Sequence, residues 1–205
     1  MAGNIPHRGH FFVFEGIDGS GKTTIAEMMA QRLVEEGRPS ILTAEPTDSW
    51  IGEFVLRGNA EATCPFTETL LYVADRAEHT TRIKEWLNEG RVVLCDRYVG
   101  STLAYQSVTL QPYFARGAME WLRSVNAPLI IQPTATFLLL IDPEDAMKRL
   151  GSRNGREKFE KLDFLRQVDE IYRQIAREDP SYIIIDAGMP LDEVAATVWG
   201  HISKY

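Results

Sequence analysis

The stretch that most limits how this chain can fold lies near its start. Phe11 to Glu15 reads as a buried strand, and Gly16 to Thr23, GIDGSGKT, fits G-x-x-x-x-G-K-[ST] in full. A glycine-bearing turn between an apolar strand and a helix lets backbone N–H groups converge on an anion, while the helix adds its positive end. An apolar helical pattern, Ile25, Met28, Met29 and Leu33, does follow. The positions Gly16, Asp18, Gly19, Ser20, Gly21, Lys22, Thr23 and Thr24 are therefore candidate phosphate and nucleotide contacts. In such a loop the lysine reaches the outer phosphates and the hydroxyl at Thr23 ligates magnesium. Many chemistries share this element, so it identifies a ligand class and not a reaction.

Downstream, apolar runs alternate with helical patterns. The first helix ends near Glu36-Gly37, and Ser40 to Ala44 reads as a strand. Glu45-Pro46-Thr47-Asp48 breaks that strand, and Asp48 or Ser49 caps a short helix to about Leu56, closed by Gly58. Phe66 to Leu87 reads as one long helix ended by Gly90, and Val92 to Cys95 as a buried strand running into Asp96-Arg97-Tyr98. Gln111 to Val125 has a helical pattern, Pro128 and Pro133 bracket a connector, and Thr136 to Ile141 is a strand. Glu144 to Leu150 reads as a short helix, Lys158 to Arg177 as another, Tyr182 to Ile185 as the last strand and Leu191 to Ile202 as a terminal amphipathic helix. Strands apolar through their length and separated by helices imply an α/β fold, a five-stranded parallel sheet with helices on both faces. Binding residues then belong at the strands' carboxyl ends.

At 205 residues the chain suits one domain over 1–205, with the polar, glycine-bearing stretch Gly151 to Arg156 as a short mobile flap at about 151–158. The acidic balance, 29 Asp and Glu against 22 Lys and Arg, opposes a nucleic-acid partner held by phosphate neutralisation, so the expected ligand is small. Cys64 and Cys95 form neither a disulfide framework nor a metal cluster, which suits a reducing, cytoplasmic setting. No segment has the length of a membrane span, so no membrane association is expected.

Two acids stand where phosphate chemistry would need them. Asp96, ending a buried strand, either holds magnesium or caps the helix after Tyr98, or does both. Asp18 is odd, since a carboxylate in a loop built for anions needs a hydroxyl or cation beside it. Arg97 follows Asp96 and carries forked donors suited to a phosphate, although an arginine after a strand is often only a surface charge.

FEGIDGSGKTT, Glu45-Pro46, LLYVADRAEH at Leu70 to His79, DRYVGSTLAYQ at Asp96 to Gln106, TFLLLIDPEDAMKR and IIIDA together resemble the thymidylate kinases, P-loop nucleoside monophosphate kinases. The resemblance runs from the first strand to the last. It implies transfer of the γ-phosphoryl of ATP, with Mg2+, to dTMP, giving dTDP and ADP for dTTP synthesis, in a homodimer. It also implies residue roles. Arg97 holds the acceptor phosphate, Asp18 sits beside the 3′-hydroxyl, Tyr72 stacks on thymine and Arg76 meets its carbonyl. Thr102 and Gln106 lie near the base, Tyr105 crowds the sugar's 2′ position, and Ser101, Glu45 and Pro46 join the acceptor site. Spacing agrees, since Tyr72 and Arg76, Thr102 and Gln106, and Ser101 and Tyr105 are each four apart on a helix.

Some members of the family carry an arginine inside the phosphate loop, where this chain has Gly19-Ser20, and others take it from the flap. This chain resembles the second kind, which makes Arg153 and Arg156 the candidate catalytic arginines beside Lys22 and Arg97, with Arg149 at the hinge. It departs from many relatives at Ala44, where they carry an arginine before the Glu-Pro pair. Two other readings compete. One is a related P-loop kinase for another nucleotide or a deoxynucleoside. The other is a nucleotide-binding regulatory switch, against which stands the lack of an N-K-x-D motif.

Overall fold

Phe11 to Glu15 are all buried, because this strand, β1, is the middle of the sheet. Its side chains alternate between faces: Phe12 and Phe14 enter one apolar cluster, Phe11 and Val13 another. The computed structural model describes residues 9–114, 116–151 and 155–205, and for 155–160 the backbone alone. The elements in order are β1, α1 (Lys22–Glu35), β2 (Ser40–Ala44), α2 (Trp50–Glu61), α3 (Pro65–Asn88), β3 (Val92–Asp96) and α4 (Val99–Leu110). After α4 come α5 (Ala118–Asn126), β4 (Ala135–Leu140), α6 (Pro143–Leu150), α7 (Gly155–Glu178), β5 (Tyr182–Asp186) and α8 (Leu191–Ile202).

The sheet has the order β2-β3-β1-β4-β5, and every pairing is parallel. Parallel neighbours need crossovers, and these put helices on both faces, as the continuous apolar strands imply. Ile25, Met29 and Leu33 of α1 join Val194, Val198 and Ile202 of α8 over the face of Phe12 and Phe14. Ile83 and Leu87 of α3 cover the face of Phe11 and Val13 with Val93 and Cys95. The register Phe14↔Asp96 and Ala44↔Asp96 brings the carboxyl ends of β1, β2 and β3 level, so the loops after them converge.

Three boundaries differ from the sequence reading. Gln111 to Val125 is not one helix. A 3-10 turn, Gln111–Tyr113, gives way to extended backbone at Phe114, and α5 starts only after Gly117. Tyr113, Phe114 and Trp121 gather around Phe66, so an aromatic cluster imitates helical spacing across a break. The second helix runs on through Gly58 to Glu61, since Gly58 does not terminate it but admits α3 closely: a Cβ there would lie 2.6 Å from Cδ1 of Leu71. Helix α7 begins at Gly155, inside the stretch read as flap. Residues 152–154, and with them Arg153, lie outside the described residues, as does the Arg156 side chain. Among the described residues, no helix is long and apolar enough to cross a membrane.

Candidate functional site

The loop between β1 and α1 is held from inside. Ser20 N donates to Ile17 O at 3.2 Å, and Gly19 takes φ 85° with its α-carbon facing the backbone of Ala146, where a Cβ would lie 2.5 Å from a carbonyl oxygen. Only glycine meets both demands. Lys22 is buried, and its Nζ donates to Ile17 O at 2.8 Å across the loop. Burial, with Arg97 adding like charge, pushes its ammonium down to about 7. Thr23 at the start of α1 donates from Oγ1 to Asp96 Oδ2 at 2.5 Å, while Asp96 Oδ1 is buried and has no partner among the described residues. A hydroxyl paired with a half-satisfied carboxylate suits a hard cation with oxygen ligands. Among the described residues no group of three or more His, Cys, Asp or Glu side chains could hold a metal. Gly19, Ser20, Gly21 and Thr24 line a cavity of about 380 Å³ on the loop's other side, walled by Arg149, Met189 and Leu191. Arg149 is fixed there by donating to Ala187 O at 3.0 Å.

Arg97 is the one described non-glycine residue in the left-handed region, at φ 70°. Backbone strain of this kind collects at sites where direction matters. Here it accompanies a guanidinium that donates to Asp18 Oδ1 in the loop and, at 3.2 Å, to Ser101 Oγ, and lies over the Tyr105 ring 5.3 Å from its centroid. The oddity of an acid in an anion-binding loop has its answer in that cation. The Tyr105 hydroxyl accepts from Asp18 N at 3.0 Å, which ties α4 to the loop.

Beyond Arg97 opens a cavity of about 390 Å³. Asp18, Glu45, Pro46, Tyr72, Arg76, Ser101, Thr102, Tyr105 and Gln106 line it with Asn59, Glu68 and Phe164. Every acceptor-side residue expected from the sequence thus borders one space, which ends at the phosphate loop. Arg76 is 1% exposed and held on several sides. Nη1 donates to Asn126 Oδ1 at 2.7 Å; Nη2 donates to Glu45 Oε2 at 2.5 Å, Thr102 Oγ1 at 2.9 Å and Tyr98 O at 3.2 Å; Nε is buried and has no acceptor among the described residues. Glu45 therefore meets Arg76, and its other oxygen meets His79 Nδ1 at 3.0 Å. Tyr72 has its hydroxyl accepting from Asn59 Nδ2 at 3.0 Å, and Gln106 Nε2 donates to Glu68 Oε1 at 3.3 Å.

A separate cavity of about 400 Å³ lies between Val99, Leu103, Ile130 and Ile175 and touches no residue from Asp18 to Thr24.

The residue pattern and this geometry agree with what the chain is similar to. The sequence profile described as thymidylate kinase matches residues 14–198. The chain belongs to the thymidylate kinase family. It is 42% identical over 190 residues to a probable thymidylate kinase of Methanoculleus marisnigri, covering 92% of this chain and 91% of that one. A probable thymidylate kinase of Pyrobaculum calidifontis is 41% identical over 200 residues, 95% of this chain and 96% of its own length. One from Methanocaldococcus jannaschii is 39% identical over 199 residues, with the same coverage.

Several residues that build this thymidylate kinase site escaped the sequence reading. Glu15 is fully buried and accepts from Tyr98 N at 2.9 Å, Ser101 N at 3.0 Å and Tyr172 Oη at 2.9 Å, so it seats the start of α4. Burial raises its carboxyl, against the pull of those bonds and of Arg97. Asp75 accepts from Thr47 N at 2.8 Å and Thr47 Oγ1 at 2.5 Å, pinning the loop after β2 to α3. A charge inside an apolar strand was the available signal for Glu15, and three-residue helical spacing from Tyr72 for Asp75. Asn126 had none.

Proposed function

We propose that the chain transfers the γ-phosphoryl of ATP to dTMP, with Mg2+, giving dTDP and ADP. The observation that carries this reading is one cavity bounded by Tyr72, Arg76, Tyr105 and Gln106 that ends at Arg97, itself bound to the phosphate loop through Asp18. In this reading Tyr72 stacks on the pyrimidine, Arg76 donates to its carbonyl, Tyr105 closes against the 2′ position and Arg97 takes the acceptor phosphate. Donation from Arg76 disfavours adenine, whose amino group would meet it as another donor.

The acceptor needs no general base. A phosphate monoester has its second pKa near 6, so its oxygen is already largely ionised at neutral pH. Repulsion is the barrier, and Lys22 and Arg97 bring positive charge to where the two phosphate groups meet. Lys22 leaves Ile17 O for phosphate oxygen and is fully charged there. Thr23 and Asp96 would hold magnesium, which when bound with nucleotide neutralises charge on the phosphate oxygens. The cavity walled by Arg149 takes the donor's base. In the same reading Arg153 and Arg156 complete the screening of the two phosphate groups.

The reading includes a cytoplasmic location, suited by two unpaired cysteines, and a homodimer with no nucleic acid or membrane partner. Exposed Trp50, Phe54 and Leu56 on α2 and Leu70 on α3 support self-association. ADP release across dTMP, dUMP, dCMP, dGMP and AMP tests the assignment, with dTMP expected to be used best. Best turnover with anything but a thymine or uracil deoxynucleotide rejects it, and nucleosides in place of monophosphates expose a nucleoside kinase.

A further inference from the structure

We infer that Glu68 is a specificity-determining positioning residue: its carboxylate fixes the Gln106 amide so that Oε1 is left for the acceptor base, selecting a pyrimidine with a ring N–H beside a carbonyl. The inference rests on the pyrimidine acceptor proposed above and names what discriminates within that class.

An ionised carboxylate only accepts hydrogen bonds, so the group that Gln106 gives it must be the NH2. That is the contact found, Nε2 to Oε1 at 3.3 Å, between two residues that line the same cavity. Gln106 is 5% exposed and has little room for other partners. Among the described residues no hydrogen bond is made to its Oε1. The amide therefore keeps an acceptor for a ligand. In the reading above Arg76, on the same cavity, supplies the donor.

One donor and one acceptor are the complement of a thymine or uracil edge, where a carbonyl oxygen stands next to a ring N–H. Cytosine carries the reverse, an exocyclic amine next to a bare ring nitrogen, and would set donor against donor and acceptor against acceptor. Sites that hydrogen-bond a substrate group reject an analogue that lacks it far more strongly than apolar pockets reject a shape. Without a fixed orientation, however, a glutamine can turn over and accept either base. Glu68 removes that freedom. It need not touch the nucleotide to do so.

The test is the ratio of kcat/KM for dTMP to that for dCMP, with KM for ATP read alongside. Glu68→Gln keeps the volume but can donate or accept, so the Gln106 amide is free to turn. The ratio should fall by about tenfold or more, and KM for ATP should stay within about twofold. In the double variant Glu68→Gln/Gln106→Glu, the amide at 68 donates to an acceptor-only group at 106, and the ratio should return to within about threefold of wild type. If turnover is lost in either variant, dissociation constants for dTMP and dCMP supply the same ratio. If Glu68→Gln does not fold, Gln106→Ala should lower it. A single variant that keeps the wild-type ratio, or a double variant that fails to restore it, overturns the role of Glu68. Wild-type enzyme that prefers dCMP, or ignores both, overturns the dTMP reading of the acceptor instead.

Discussion

Replacing Glu45 by alanine should cost the fold far more than an ordinary surface change, because of where the charge of Arg76 would be left. The two side chains are 1% and 3% exposed and 2.5 Å apart, with His79 on the other carboxylate oxygen. Breaking a buried pair from one side strands the remaining charge, at about 3–5 kcal/mol. Arg76 keeps Asn126, Thr102 and the Tyr98 carbonyl, but all three are neutral acceptors and cannot replace a carboxylate. For a chain this long each kcal/mol moves the melting temperature by about 2–4 °C, so the loss should be about 6–20 °C. Glu45→Gln retains shape and one acceptor and should lose less, about 1–3 kcal/mol. The control is Glu61→Ala, whose pair with Arg57 is 65% and 63% exposed and should be worth under about 1 kcal/mol. Thermal and urea melts of all three, with dTMP binding by calorimetry, give the comparison. If Glu45→Ala loses under about 1 kcal/mol, the buried pair does not hold Arg76 and the account of the acceptor cavity fails with it.

The depressed ammonium of Lys22, at about 7 when buried against an ordinary value near 10.4, makes nucleotide binding proton-linked. Between those values the unfolded chain binds the extra proton, so the penalty from Lys22 is full below about pH 7 and is relieved as pH rises. Phosphate restores the charge, so ATP binding at pH 8 should take up protons, seen as a dependence of calorimetric heat on buffer ionisation enthalpy; no net uptake would refute it. Arg97→Ala should raise KM for dTMP by about 10- to 100-fold, with a much smaller effect on ATP. Steady-state kinetics with each substrate varied decides that, and equal effects on both would count against its place at the acceptor. Gly52→Ala should destabilise by more than about 2 kcal/mol, since its Cβ would fall 1.8 Å from the backbone oxygen of Thr47. Gly58→Ala, which meets only a Leu71 methyl, should cost under about 1 kcal/mol by the midpoint of urea unfolding.

The sheet was legible because its inner strands β1, β3 and β4 are apolar along nearly their whole length and buried on both faces, whereas the edge strands β2 and β5 are partly exposed. Strand ends were read to within a residue or so at Phe11–Glu15, Ser40–Ala44 and Val92–Asp96. Helix ends were harder. Gly58 resembles a stop signal but serves a close approach between helices, and that depends on Leu71, which lies on another helix. The break between Gln111 and Ala118 was hidden because residues packing on Phe66 from a turn and from a helix share one apolar appearance.

For the site, what could be read was a set of side chains that border one cavity, and what could not was the set that holds them. Tyr72, Arg76, Arg97, Tyr105 and Gln106 sit at helical spacings or strand ends, which sequence distance encodes. Their supports do not. Asn126 reaches Arg76 from fifty positions away, Glu15 reaches Ser101 from eighty-six, and Tyr172 reaches Glu15 from one hundred and fifty-seven. The placement of Asp18 shows the same division. Its charge looked misplaced while the loop was considered alone, and it became intelligible only with Arg97 beside it, seventy-nine positions on. A carboxylate there keeps the guanidinium at the mouth of the loop before any phosphate arrives. In the proposed reading, an incoming nucleotide meets a cationic group already oriented, and the ordering of a long side chain is not charged against binding.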